Sequence, residues 1–426
     1  MNFIEWYQKR GFRFIYERAT KLSERYSFTP VKAMARIRFC VDRLSAYRCY
    51  PTFFVPAIVV KRNSDFIHEL QEKGCEIGVH GYQHIDMRSI SPKEACFQLN
   101  KAKAVFRHED ISIDGFRCPY LSFSDEILRE LQPGEFNYSS NRAIAWMDPN
   151  SESREPQLVF DTVEKFYHPA SAQSTLSLPY QDENILEIPV SVPDDLQLRD
   201  GMNFTPDEIS SAFSCTFNQT HQRGELFNLM FHPELASMLI EPFFAVLGEA
   251  FIQKQRVWVT QLRDISKWWH IKENYKIQIE KTDSKYRLMI DCPRHATLLV
   301  RGIDNQPETS HWGGRYQRVN SEKPIFFTDL LPLVGISPRL PKWVHSSLKQ
   351  LGYISINNHD QQNCSIQIKT EFLNHLDNPV KLIEAVEALD VPLIRFWPWP
   401  DGCQSALCLS GDLDALSLID YATRLL

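Results

Sequence analysis

PTFFVPAIVVKRNSDFIHELQEKGCEIGVHGYQH, residues 51–84, is the stretch on which the fold turns. PTFFVPAIV (51–59) reads as a short apolar strand, residues 64–73 as a helix stopped by Gly74, and EIGVH (76–80) as a second strand. A strand, a helix and a strand in such quick succession make a β/α unit whose strands lie parallel. The pattern extends in both directions. Upstream, residues 3–22 read as one helix and 30–47 as another, with Thr29 as its N-cap and Pro30 at its first position. Downstream come a helix over 91–106, a strand over 113–117 and a helix over 125–131. The pattern continues through EIPVSV (187–192), a helix over 205–219, LFNLMFH (226–232), a helix over 240–253, VWVTQL (257–262) and a Trp-rich helix over 263–270. The fold class is α/β, and about 270 residues of this alternation is the size of one barrel.

Beyond residue 271 the character changes. YKIQIEKTDSKYRLMID (275–291) alternates polar and apolar residues around a turn, which predicts a β-hairpin, and ATLLVRGI (296–303) continues the β pattern. A Pro-rich connector (324–341) precedes a helix–strand–helix–strand stretch over 343–396. The expected organisation is a barrel over 1–271, an inserted β-rich and α+β region over 272–398, and a strand–helix unit over 399–426. That last unit cannot bury both of its faces alone, so it must join a sheet elsewhere.

Composition narrows the function classes. The 426 residues are 43% hydrophobic and 23% charged, as in a globular protein. Lys and Arg number 47 against 53 Asp and Glu, a net charge of −6, without the basic surplus that nucleic acid or an anionic membrane demands. No apolar run approaches the ~18 residues of a membrane span. The charged N-terminus lacks the apolar core of a signal peptide, so a cytoplasmic location is expected. The ten cysteines form no C-x-x-C pair and read as reduced thiols, not a disulfide framework or thiolate zinc site. No oligomeric state is read from these features.

Four places could carry chemistry. His80 and His84 form H-x-x-x-H just after a buried-looking strand, with Gly81 allowing a tight ligand loop; the same spacing also recurs by chance. Asp412 and Asp414, in LCLSGDLDA, follow a strand and suit a cation or a ligand beside a base; the plainer reading is an N-cap and a solvated acid before the last helix. His232 ends an apolar strand, where β/α folds place reactive groups. Arg117, in GFRCPY, needs a carboxylate partner if it is buried and is a solvated loop residue otherwise. Pro119 and Tyr120 stiffen the backbone there, which could aim the Tyr120 N–H outward. FWPWP (396–400) reads as packing at a domain junction. There is no phosphate-cradling glycine loop after a strand and no G-x-S-x-G elbow.

Residues 28–84 resemble the polysaccharide deacetylase family, the NodB-homology enzymes also called carbohydrate esterase family 4. PTFFVPAIV through CEIGVHGYQH is similar to that family's strand–helix–strand and histidine motif, GFRCPY to its arginine motif and LMFHPE to its late histidine motif. The family's opening aspartate pair is absent from residues 1–29, and SGDLDALSLIDYATR near the C-terminus resembles its D-x-D-A form. The resemblance implies a distorted (β/α) barrel of NodB type, circularly permuted, with its last strand and helix closing the barrel. It implies a divalent metal held by Asp414, His80 and His84, zinc being the ion that two imidazoles and a carboxylate favour. Asp412 would be the general base oriented by Arg117, His232 the acid, and the Tyr120 N–H an oxyanion donor. The substrate would be an N-acetylated sugar, a polysaccharide precursor or another small amide. Two departures stand out. Asn137 replaces an expected aspartate in a supporting motif, and Cys118 occupies a position usually small or proline. A cyclic imide or ureide hydrolase and a catalytically silent carbohydrate-binding barrel are the competing readings. Retention of both aspartates, both histidines, Arg117 and His232 argues against the silent one.

Overall fold

Helix α1 (Val31–Ser45) buries Ala33, Ile37, Cys40, Val41 and Leu44 at the spacing of one helical face. The computed structural model describes residues 20, 22–146, 167–252, 256–282, 285–304, 307–357 and 362–423. The helix expected over 3–22 therefore lies almost wholly outside the described residues. Strand β1 (Thr52–Val55) is shorter than the sequence suggests, because Pro56 ends it. Helix α2 (Ala57–Glu72) starts at once and turns its β-branched residues Val59 and Val60 into the core, with a kink at Asn63. Runs of this kind read as strand or buried helix alike until their neighbours are known.

The alternation continues with β2 (Glu76–Val79), α3 (Pro92–His108), β3 (Gly115–Phe116), α4 (Asp125–Glu130) and β4 (Tyr138–Ser139). Then come β5 (Ala143–Ala145), β6 (Ala170–Ser171), the antiparallel pair β7 (Tyr180–Asp182) and β8 (Ile185–Glu187), and β9 (Val190–Val192). EIPVSV thus spans two strands on opposite sides of the sheet rather than one, since β8 pairs with β4 and β9 with β10. Helix α5 (Pro206–Arg223) is closed by a Thr205/Glu208 capping box and by left-handed Gly224. Strand β10 (Leu226–Phe231), α6 (Ala236–Ile252), β11 (Val257–Val259) and α7 (Leu262–Ile271) complete this part.

The described residues of the following region form three small sheets. A hairpin of β12 (Lys276–Thr282) and β13 (Lys285–Asp291) realises the predicted turn. Strands β14 (Leu298–Arg301), β15 (Thr309–Gly313) and β16 (Tyr316–Val319) follow. The Pro-rich connector is not irregular, for it holds β17 (Ile325–Thr328), added to the hairpin, and buried β18 (Leu331–Ile336). Helix α8 (Lys342–Gln350), β19 (Ser355–Ile356), β20 (Cys364–Ile368), α9 (Pro379–Ala388) and β21 (Leu393–Phe396) close the region. It does not stand apart, because Val334, Val344 and Leu382 share one apolar cluster with Leu226 and Cys408 of the larger sheet and Trp268 of α7. Trp399 of the FWPWP run is fully buried in that junction, its indole donating to the Gly224 carbonyl at 2.8 Å.

The decisive element is β22 (Ser405–Asp412), buried along its whole length. Its lower half pairs in parallel with β11, its upper half with β1, and its other edge with β10. The large sheet runs β6-β5-β9-β10-β22-β1-β2-β3-β4-β8-β7, a curled, mostly parallel half-barrel carrying helices outside. The chain's last strand is thus central, between segments from its beginning and its middle. Helix α10 (Leu418–Ala422) is capped by Ser417 and Asp420, so Asp412 and Asp414 are not its caps.

Candidate active site

Parallel strands present all their carboxyl ends on one side, and β2, β3, β10 and β22 each deliver a polar residue there. His80 follows β2, Arg117 follows β3, His232 follows β10, and Asp412 ends β22 with Asp414 two residues on. The loop bearing both histidines is held from outside. The first amides of α2, on Ala57 and Ile58, donate to the carbonyls of Gly81 and Tyr82 at 3.0 Å each. Helix N-termini have such amides to spare. Gly81 sits at φ +77°, and a Cβ there would lie 2.9 Å from the Gln83 carbonyl oxygen. Only glycine fits the turn between the histidines.

His80, His84 and Asp414 are all buried, and their potential ligand atoms lie within 4.8 Å of one another. His80 Nε2 is 3.3 Å and His84 Nε2 3.1 Å from Asp414 Oδ1. His80 Nδ1 donates to the Arg117 carbonyl at 2.9 Å, which in the neutral ring leaves Nε2 as a lone pair. Buried Nε2 has no hydrogen-bond partner among the described residues, although a carboxylate oxygen faces it. Two acceptors confronted in a buried place repel, and a cation between them reverses the sign. The donor set therefore fits a divalent metal.

Asp412 belongs to a different arrangement. Arg117, fully buried, donates from Nη1 to Asp412 Oδ1 at 2.7 Å, and the two lie 295 positions apart in the chain. Its Nε and Nη2 donate to the Ser140 carbonyl and hydroxyl at 3.0 Å each, and Nη2 also donates to Ser410 Oγ at 2.8 Å. The guanidinium lies over the Phe54 ring, 4.3 Å from its centroid. So extensively bonded a cation is no solvated loop residue, and breaking such a buried pair costs about 3–5 kcal/mol. The other Asp412 oxygen lies 4.0 Å from His80 Nε2.

His232 is paired with a residue the sequence reading missed. Its Nδ1 lies 2.7 Å from Asp195 Oδ1, and its backbone N–H donates to Asp195 Oδ2 at 2.8 Å. Burial alone would lower the imidazole pKa, but the Asp195 carboxylate, helped by Asp414 and Asp194, outweighs it and pushes His232 up to about 10. Burial raises neighbouring Asp194 to about 6. The signal for Asp195 lay in SVPDDLQ, a doubled aspartate just past a strand. Tyr120 occupies a short turn over Pro119–Leu121 at φ +59°, with its ring edge-on to His84 at 4.5 Å between centroids. Asn137 is remote from this chemistry, donating to Asp114 at an exposed place, so the expected supporting role does not fall to it. Cys118 is buried, and its N–H donates to Asn141 Oδ1 at 2.7 Å.

The site gathers a donor set that fits a cation, a carboxylate paired with a buried arginine, and an imidazole whose pKa its carboxylate neighbours push up to about 10. Comparison with known proteins matches residues 37–138 to a family model described as polysaccharide deacetylase. A bifunctional xylanase/deacetylase of Pseudobutyrivibrio xylanivorans is 29% identical over 93 residues, which spans 21% of this chain and only 15% of that relative's length. Among solved structures, one described as a polysaccharide deacetylase of Mycobacterium smegmatis has a TM-score of 0.42 at 20% identity, covering 56% of this chain and 77% of that one. The Puue allantoinase has a TM-score of 0.43 at 17% identity, covering 57% and 74%.

Proposed function

Residues 37–138 belong to the polysaccharide deacetylase family, and from that premise we propose that this chain is a metal-dependent hydrolase removing an N-acetyl group from an amino sugar or polysaccharide precursor. The observation that carries the reading is the meeting of His80, His84 and Asp414 beside an Asp412–Arg117 pair and a carboxylate-backed His232. The order of the chain reads as a circular permutation of the family's barrel, supported by the parallel pairing of β22 with β1.

His80, His84 and Asp414 would hold the metal, and two imidazoles with one carboxylate favour zinc. When bound, the ion would polarise the amide carbonyl and make water more acidic. Asp412, aimed by Arg117, takes the proton of the attacking water. The Tyr120 N–H would donate to the oxyanion of the tetrahedral intermediate. His232, protonated and held by Asp195, gives its proton to the departing amine, so acetate and a free amine result.

The test is acetate release from chitooligosaccharides and nucleotide-linked N-acetylhexosamines, measured together with metal content. Asp412→Asn should keep the metal and lose turnover by about 10²–10⁴. Metal-replete protein inert on every N-acetylated sugar and small amide would overturn the assignment.

A further inference from the structure

Glu187 ends β8 with a carboxylate sealed inside the sheet wall, where an unsatisfied charge would be costly. Its acceptors are all engaged. Oε1 accepts the backbone N–H groups of Asn141 at 2.6 Å and Arg142 at 2.7 Å, and Oε2 accepts the Ser139 hydroxyl. These three donors lie on both sides of Ser140, in the turn where the chain leaves β4 for β5. Ser140 supplies a carbonyl and a hydroxyl to the Arg117 guanidinium. Asn141 Oδ1, in the same turn, takes the N–H of Cys118, the residue after Arg117. A turn held by one buried carboxylate therefore seats the arginine through three contacts.

Arg117 in turn governs two functional groups, its guanidinium meeting Asp412 and its carbonyl fixing the ring of His80. We propose that Glu187 is a positioning residue, whose carboxylate shapes the turn over residues 139–142 and so aims Arg117 at Asp412. The inference rests on the proposed hydrolase reading for its consequence, but not for the placement itself. Glu187 is buried in the sheet wall behind Ser140 and makes no step of the chemistry.

Glu187→Ala, in metal-loaded full-length protein, should lower kcat about 10–100-fold with KM little changed. Glu187→Gln keeps one oxygen for the two amides, and the Ser139 hydroxyl can turn to accept from its NH₂, so it should recover most of the loss. In an Arg117→Lys background the effect of Glu187→Ala should shrink below about threefold, because the group it positions has been altered. Equal losses in both backgrounds would mean that Glu187 only supports the fold, overturning the proposal. A second readout needs no activity. The buried Arg117 Nε–H should give a protected NMR signal, identified by its loss in Arg117→Lys, that shifts and exchanges faster in Glu187→Ala. An unchanged signal overturns the placement even if the hydrolase reading stands. A shifted signal in a protein inert on all substrates upholds the placement and sinks the hydrolase reading alone.

Discussion

Two buried clusters of histidine and aspartate lie near each other, one with two imidazoles and a carboxylate, the other with two carboxylates and an imidazole, and they differ in how their atoms are bonded. His80, His84 and Asp414 form one, and Asp194, Asp195 and His232 the other; each is buried with ligand atoms within 4.8 Å. In the first, His80 Nε2 has no hydrogen-bond partner among the described residues and faces a carboxylate oxygen. In the second, every carboxylate oxygen already has a donor. Asp194 accepts from the Gln197 N–H and the Tyr167 hydroxyl, and Asp195 accepts from the His232 and Leu196 N–H groups with the His232 ring against it. Residue type and distance make both look like metal sites. Hydrogen-bond satisfaction separates a cation's place from a proton's place, because a metal would have to break the second set of bonds.

The strongest way to break that contrast is ligand removal. His80→Ala should abolish stoichiometric metal binding by elemental analysis and reduce activity to background, while Asp195→Asn leaves the metal content unchanged. Loss of metal in both variants would make the clusters one dinuclear site. Next in size, His232→Ala should cost about 10²–10⁴ in turnover of amides at constant metal content. The loss should be much smaller for activated aryl esters, whose leaving group needs no proton. Equal losses on both substrate types would make His232 a binding residue.

Ionisation gives a more moderate effect. With His232 raised to about 10, activity that needs its proton should persist through neutral pH and decline as pH rises through about 10. Asp195→Asn removes the main counter-charge, so the basic limb should move down toward the ordinary imidazole range. The same pair stabilises the fold fully below the unfolded imidazole value of about 6.5, and the contribution fades as pH rises from there through about 10. Urea midpoints measured across that window should fall in the parent and stay flatter in Asp195→Asn. The smallest effect belongs to Asn137→Ala. At an exposed hydrogen bond to Asp114, it should change stability by no more than about 0.5 kcal/mol and leave turnover unaltered. A large loss of turnover would return Asn137 to the supporting role its position in the sequence suggests.

Local sequence signals were enough to read the barrel's alternating elements and to pick out the candidate side chains of the site. Period, capping residues and Gly74 are local signals, and a histidine or arginine at a strand's end can be read without knowing its neighbours. The sequence also required that the last strand find a sheet, since a solitary strand and helix leave one face uncovered. The folded chain was needed to show that β22 lies between β1 and β10, and hence that Asp414 meets His80 and that Arg117 is buried against Asp412. It alone revealed the Asp195 partner of His232 and the Glu187 clamp behind Arg117, and it resolved 324–341 into two strands. Each of these rests on hydrogen bonds and packing between residues distant in the chain. Such contacts leave no periodic trace in the sequence, because a carboxylate's role depends on which donors the fold brings to it.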